Sequence, residues 1–277
     1  MPYLSVGAEN SGTIDLYYED LGYGQPVVLI HGFPLSGAAW EKQVSALVAS
    51  GHRVITYDRR GFGRSGQPST GYDYDTFAID LAELITVLDL RDVVLVGHSM
   101  GTGEVVRYLS AQGPDRISGA VLISPVPPYL LKSPDNPEGV DQSVFDQITQ
   151  AIRDDRPAYL TTFLTDFYNL DQTLGKRISE EVVRSNWAVA VNASPIGTLA
   201  CVPAWLTDFR HDLAAVTVPT LIIQGDADRI LPIESTGKRL ATMIANSDLV
   251  VIEGGSHGIP WTHADEINRE LLAFIKG

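Results

Sequence analysis

Only one cysteine, Cys201, occurs in 277 residues, which excludes an internal disulfide and any thiolate-ligated metal or iron–sulfur centre. Basic residues are scarce too: 20 Lys and Arg stand against 34 Asp and Glu, a net charge of −14. No Lys/Arg cluster supplies the basic footprint that nucleic acid requires, and the same balance disfavours an anionic membrane surface. No apolar run approaches the ~20 residues of a membrane span. The opening MPYLSVGAEN has neither the basic nor the apolar region of a secretory signal. These absences predict a cytoplasmic protein with no nucleic-acid or membrane partner. Metals and cofactors are not expected either. No His or Cys cluster has ligand spacing, and no G-x-G-x-x-G follows a strand. Gly61-Phe62-Gly63-Arg64-Ser65-Gly66 lacks a Walker lysine and reads as a loop.

What is present belongs to a globular fold. Hydrophobic residues make up 44% of the chain and charged ones 19%. Mean hydropathy is +0.04, which excludes disorder. Ile14–Tyr18 and the Gly22–Gly24 turn read as an antiparallel hairpin. Short unbroken apolar runs follow at Val27–Ile30, Arg53–Tyr57, Val93–Val96, Ala120–Ile123, Thr220–Ile223 and Leu249–Ile252. Such runs suit strands of a parallel sheet buried on both faces. Helical stretches lie between them, clearest at Thr76–Leu88, Gly103–Ala111 and Ala264–Ile275. The alternation predicts an α/β fold with a mostly parallel central sheet and helices on both faces. The rhythm breaks after Ser124 at Pro125, Pro127, Pro128, Pro134 and Pro137, and Val218-Pro219 resumes it. Residues 1–124 and 214–277 therefore read as the core domain, with 125–213 as a helical cap inserted after the sixth strand.

The chemistry concentrates at strand ends. Val93-Val94-Leu95-Val96-Gly97-His98-Ser99-Met100-Gly101 is G-x-S-x-G between a buried strand and a helix. Glycines two residues either side let the backbone turn sharply enough to expose the Ser99 hydroxyl near a helix N-terminus. A serine needs a base and an orienting acid to become nucleophilic. His257 lies in Gly254-Gly255-Ser256-His257-Gly258, after the last strand, and Gln224-Gly225-Asp226-Ala227-Asp228 follows the strand before it. Asp228 is the expected acid, with Asp226 expected to cap its own turn. His98 sits in the elbow and His31 in a loop; His52, His211 and His263 read as surface or helix residues. Leu29-Ile30-His31-Gly32-Phe33-Pro34 supplies the second half of an oxyanion hole. Its donors would be the backbone N–H groups of Phe33 and Met100, since Pro34 has none to offer. Phe33, Met100, Trp205 and Ile230 are the expected pocket residues.

Together with Tyr57-Asp58-Arg59-Arg60-Gly61-Phe62-Gly63 and Gly225 to Pro232, these motifs resemble the α/β-hydrolases over nearly the whole chain. More narrowly, the chain is similar to the bacterial cofactor-free haloperoxidases. The matches are Thr70-Gly71-Tyr72-Asp73-Tyr74-Asp75-Thr76-Phe77, Phe167-Tyr168-Asn169-Leu170-Asp171, Thr207-Asp208-Phe209-Arg210 and His257-Gly258 with Trp261-Thr262-His263-Ala264. His98 and Met100, either side of Ser99, depart from some members. The resemblance implies a serine esterase acting on small esters or carboxylic acids. With hydrogen peroxide such an enzyme forms a peracid that oxidises halide, without haem or vanadate. It also implies a homo-oligomer, a dimer or trimer. A lactamase or a C–C bond hydrolase would use the same triad, and a hydrolase-like receptor could retain it without turnover.

Overall fold

Alternation along each strand sets the layers. The structure, a computed structural model, describes residues 2–276. The first half runs β1 (Tyr3–Glu9), β2 (Gly12–Leu21), β3 (Pro26–Ile30), α1 (Glu41–Ala49), β4 (Arg53–Tyr57), α2 (Tyr74–Val87), β5 (Val93–His98), α3 (Met100–Gln112) and β6 (Ile117–Ile123). Four helices follow: α4 (Gln142–Tyr168), α5 (Leu170–Thr173), α6 (Glu180–Val191) and α7 (Pro195–Ala204). The chain closes with β7 (Thr220–Gly225), α8 (Gly237–Met243), β8 (Ser247–Ile252), α9 (Ile259–Thr262) and α10 (Ala264–Lys276). Among the described residues no single helix is long and apolar enough to cross a membrane.

The eight strands form one sheet in the order β1-β2-β4-β3-β5-β6-β7-β8. The pairs β1–β2 and β2–β4 are antiparallel and all others parallel. Val28, Ile30, Ile55 and Leu95 face Leu81 and Leu84 of α2 and Val105 and Leu109 of α3. Their neighbours Val27, Leu29, Val54 and Val121 face the other way, onto Leu47 of α1 and Ile267 and Leu271 of α10. Both faces are covered, so the central strands carry unbroken apolar runs. The Leu249–Ile252 run is an exception: β8 is the sheet edge, and Val251 is 45% exposed.

Two further expectations need correction. The N-terminal hairpin turns at Asn10-Ser11, between β1 and β2, not at Gly22–Gly24. Asn10 has φ of 53°, a left-handed conformation asparagine tolerates better than most residues. Gly22–Gly24 instead carries the chain from β2 to β3, which are not neighbours because β4 lies between them. The elbow helix also begins at Met100, not Gly103, directly after Ser99. Gly101 and Gly103 lie at its start. They are there for close approach: a side chain on Gly101 would strike the Ile30 backbone, and one on Gly103 the rings of Phe209 and Tyr74.

From Ser124 to Pro219 no named strand forms, only isolated bridges such as Leu131 with Val140. Helix α4 bends at Asp155 (φ −155°, ψ 84°), where the carboxylate accepts the Ala158 N–H at 3.0 Å. Asp155 thereby caps the second half of α4, and Pro157 falls in that half's first turn, where its missing N–H costs nothing. β4 and β5 flank β3 on opposite sides, so the strand order reverses there. Crevices at such a switch point, outside the carboxyl ends of the strands, are where α/β sheets bind ligands.

Candidate active site

Ser99 stands at the end of β5 with φ of 54° and ψ of −121°. For a residue with a Cβ this is strained backbone. It is held on one side by the Ser99 N–H donating to the Ile123 carbonyl at 2.8 Å. The approach of the elbow to itself fixes the other side, since a Cβ on Gly97 would lie 2.6 Å from the Gly101 carbonyl oxygen. Gly32 lies so close that a Cβ there would sit 2.9 Å from the Ser99 Cβ. The turn after β3 therefore presses directly on the serine. Among the described residues, neither the Phe33 nor the Met100 N–H donates to a protein acceptor. Both are free for an oxyanion beside Ser99.

Asp228 and His257 meet across the ends of β7 and β8. The Asp228 Oδ2 lies 2.8 Å from His257 Nδ1, and both side chains are sealed from solvent. Its Oδ1 accepts the N–H groups of Ile230 and Leu231 at 2.9 and 2.8 Å, which fixes the carboxylate's direction. With Nδ1–H committed to Asp228, the other ring nitrogen carries the lone pair. That atom, Nε2, is buried and has no hydrogen-bond partner among the described residues. Ser99 and His257 are not hydrogen-bonded to each other, as is common in ligand-free sites. Asp226 is exposed, and its Oδ1 accepts the Gly254 N–H at 2.7 Å. It ties the β7 loop to the β8 loop, not its own turn as expected.

His98 supports the His257 loop. Its Nε2 lies 2.9 Å from the His257 carbonyl oxygen, to which it donates, and the two rings are 5.1 Å apart. Burial, aided by the neighbouring His257, pushes the His98 imidazole from 6.5 down to about 3. Between those values the unfolded chain binds one proton at this position that the folded chain does not, so stability is lost as pH falls through that window. His98→Phe is expected to flatten the stability-against-pH slope by about one proton near pH 5. Urea midpoints between pH 6 and 4.5 give the slope, and an unchanged slope would show that His98 titrates normally.

Under the oxyanion turn lies a buried network that sequence reasoning missed. Arg59, after β4, donates through Nε to Glu104 of α3 at 2.8 Å and through Nη2 to the His31 carbonyl at 2.9 Å. The Arg59 N–H donates to His31 Nε2 at 3.0 Å, and the Tyr57 hydroxyl donates to Glu104. The strand that carries the oxyanion turn is thus bound to the elbow helix. Burial pushes the Glu104 carboxyl up and Arg59 opposes it, while burial holds His31 well below the usual imidazole range. A single Glu in a helix gave no sign of this in the sequence.

Beside Ser99 opens a cavity of ≈ 340 Å³, walled by Phe33, Trp205 and Ile230 among others. Met100 is not part of that wall: its side chain is 1% exposed and packs in the core, so only its backbone reaches the site. Missing from the expectation was the wall formed by Val126, Leu130 and the first half of α4. Of the remaining histidines only His211 is exposed; His52 is buried, and His263 is buried with Nδ1 2.9 Å from the Thr262 hydroxyl.

Comparison with known proteins agrees with this fold. A family model described as alpha/beta hydrolase fold matches residues 25–264. A Synechocystis protein provisionally named as a non-heme chloroperoxidase is 65% identical over 276 residues, covering 100% of both chains. The bifunctional esterase/perhydrolase of Acinetobacter calcoaceticus is 37% identical, over 95% of this chain and 96% of its own. The crystal structure of a bromoperoxidase from Bacillus anthracis superposes with a TM-score of 0.95 at 49% identity, covering 99% of each chain.

Proposed function

The chain belongs to the α/β-hydrolase fold family, and from that premise we propose that it is a serine esterase that also transfers acyl groups to hydrogen peroxide. The observation that carries this reading is the buried His257, fixed by Asp228 at 2.8 Å with its other nitrogen unpartnered beside the elbow. Ser99 is the nucleophile, His257 the general base and Asp228 the acid that sets the tautomer. The N–H groups of Phe33 and Met100 stabilise the oxyanion, and residues 125–213 act as the cap over the site.

In the first half-reaction the Ser99 oxygen bonds to the ester carbonyl carbon while its proton passes to His257 Nε2. The carbonyl π-electrons move onto oxygen, between the two amides. Collapse breaks the bond to the alcohol, which leaves with the proton from His257. Water then attacks the acyl-enzyme with its proton taken by His257, and Ser99 recovers its hydrogen as the acid departs. When hydrogen peroxide attacks instead, the product is a peracid, R–CO–OOH. Released, the peracid gives its terminal OH to bromide, forming hypobromous acid, and is itself reduced to the carboxylate. The relatives' names, chloroperoxidase, bromoperoxidase and esterase/perhydrolase, support this second outcome.

Bromination of an activated diketone by peroxide and bromide, run in acetate and in a carboxylate-free buffer, tests it. Bromination is expected only with acetate and only with Ser99 intact. Ester hydrolysis without such bromination leaves a plain esterase or lactamase.

A further inference from the structure

The cavity beside Ser99 has a chemistry of its own. Part of its wall is aliphatic, formed by Val140, Val144 and Ile148 with Phe145. Near the serine, Phe33 meets Trp205 edge-on at 4.8 Å and Phe163 at 5.5 Å, giving an aromatic collar. The charged side chains in the wall are Asp166 and Arg229. Arg229 is already paired, since Asp171 accepts from both its terminal nitrogens at 2.8 and 3.0 Å and balances its charge. A substrate carboxylate in this cavity would therefore meet a cation whose charge Asp171 already balances, and would face Asp166. Burying an unpaired charge is strongly unfavourable.

Size points the same way. At the ~30 Å³ that one water occupies in the liquid, ≈ 340 Å³ corresponds to roughly ten non-hydrogen atoms. An acetyl group has three and would leave most of the apolar wall without contacts. The acyl half is the one that gains from filling it. It stays bonded to Ser99 through both half-reactions, whereas the alcohol departs after the first. Contacts along it therefore stabilise both transition states.

We propose that the acyl group this site selects is uncharged, apolar and much larger than acetyl: a medium-length alkyl or aryl acyl chain seated between the aromatic collar and the first half of α4. This rests on the serine-hydrolase reading above and adds the substrate class to it. Each methylene buried along the cavity raises kcat/KM by about threefold to fourfold until the space is filled.

The experiment uses the intact protein with p-nitrophenyl acetate, butanoate, hexanoate and octanoate, the p-nitrophenyl monoester of adipic acid, and alkyl acetates of matching length. We expect kcat/KM to climb from acetate to hexanoate by about 80- to 250-fold, as four methylenes imply. The adipate monoester, hexanoate-like in length but ending in a carboxylate, should fall at least a hundredfold below hexanoate. Ile148→Trp should lower the hexanoate-to-acetate ratio by narrowing the cavity. Equal rates along the Ser99-dependent series, a preference for acetate, or a gain only from lengthening the alcohol would overturn the acyl assignment while leaving the esterase intact. Cleavage of none of the esters, or cleavage undiminished in Ser99→Ala, would overturn the hydrolase reading itself.

Discussion

Replacing Ser99 with alanine is expected to lower kcat for ester hydrolysis by about 10⁵- to 10⁶-fold, the scale seen when a triad nucleophile is removed. The fold should not suffer. Alanine keeps the Cβ that makes φ of 54° costly, so the strain at the elbow is the same in both proteins. Among the described residues the hydroxyl of Ser99 holds no hydrogen bond, and its backbone N–H to Ile123 survives the change. The variant should therefore unfold at the wild-type denaturant concentration and bind a non-hydrolysable ester analogue with similar affinity. Residual turnover within tenfold of wild type would remove Ser99 from the reaction.

The second large effect separates two carboxylates two residues apart. Asp228→Asn is expected to cost about 10⁴-fold in kcat, for a reason the hydrogen bonds dictate. The side-chain oxygen of the asparagine would stay with the N–H groups of Ile230 and Leu231, leaving its NH₂ against His257 Nδ1. That nitrogen must then accept, which moves the ring proton to Nε2. A ring protonated there cannot take the serine's proton. Asp226→Asn touches only the exposed contact to Gly254 and should change kcat less than tenfold. Steady-state rates for the two variants, measured side by side, decide it: the reverse ranking would transfer the acid's role to Asp226.

Sequence carried the fold because the central strands are buried twice over. A strand covered on both faces has no polar side to dilute its apolar run, and β3 to β7 stood out for that reason. Legibility failed where burial is one-sided or glycine serves packing. β1 is largely exposed, so the first hairpin was misplaced, and Gly101 and Gly103 hid the start of α3. For the site the division is similar. Ser99, Asp228 and His257 sit in short glycine-bounded loops after strands, where position alone signals chemistry. Met100 was misread as lining because a backbone role leaves the side chain's direction undetermined. The wall from Val140 to Ile148 was invisible, because an apolar residue facing a cavity is spelled the same as one facing the core. Tyr57, Arg59 and Glu104 were missed because the end of β4 and α3, some 45 residues apart in the chain, must fold together before their polar groups meet.

One seam joins the two parts of the molecule at its most sensitive point. The carbonyl of Phe167, near the end of α4, accepts the N–H of Gly258, next to His257, at 2.8 Å. Two residues on, Asn169 donates its side-chain NH₂ to the Ala227 carbonyl, next to Asp228, at 2.8 Å. Gly258 leaves no space at this junction, since any Cβ there would run into the Tyr168 ring. His257 and Asp228 are thus each stitched to α4 through the residue beside them. For protein engineering this sets where the chain can be cut. A chimera that exchanges the pocket-lining helix for a relative's must keep residues 167–169 with the core. A junction placed after them would import a foreign template for the dyad along with the new pocket.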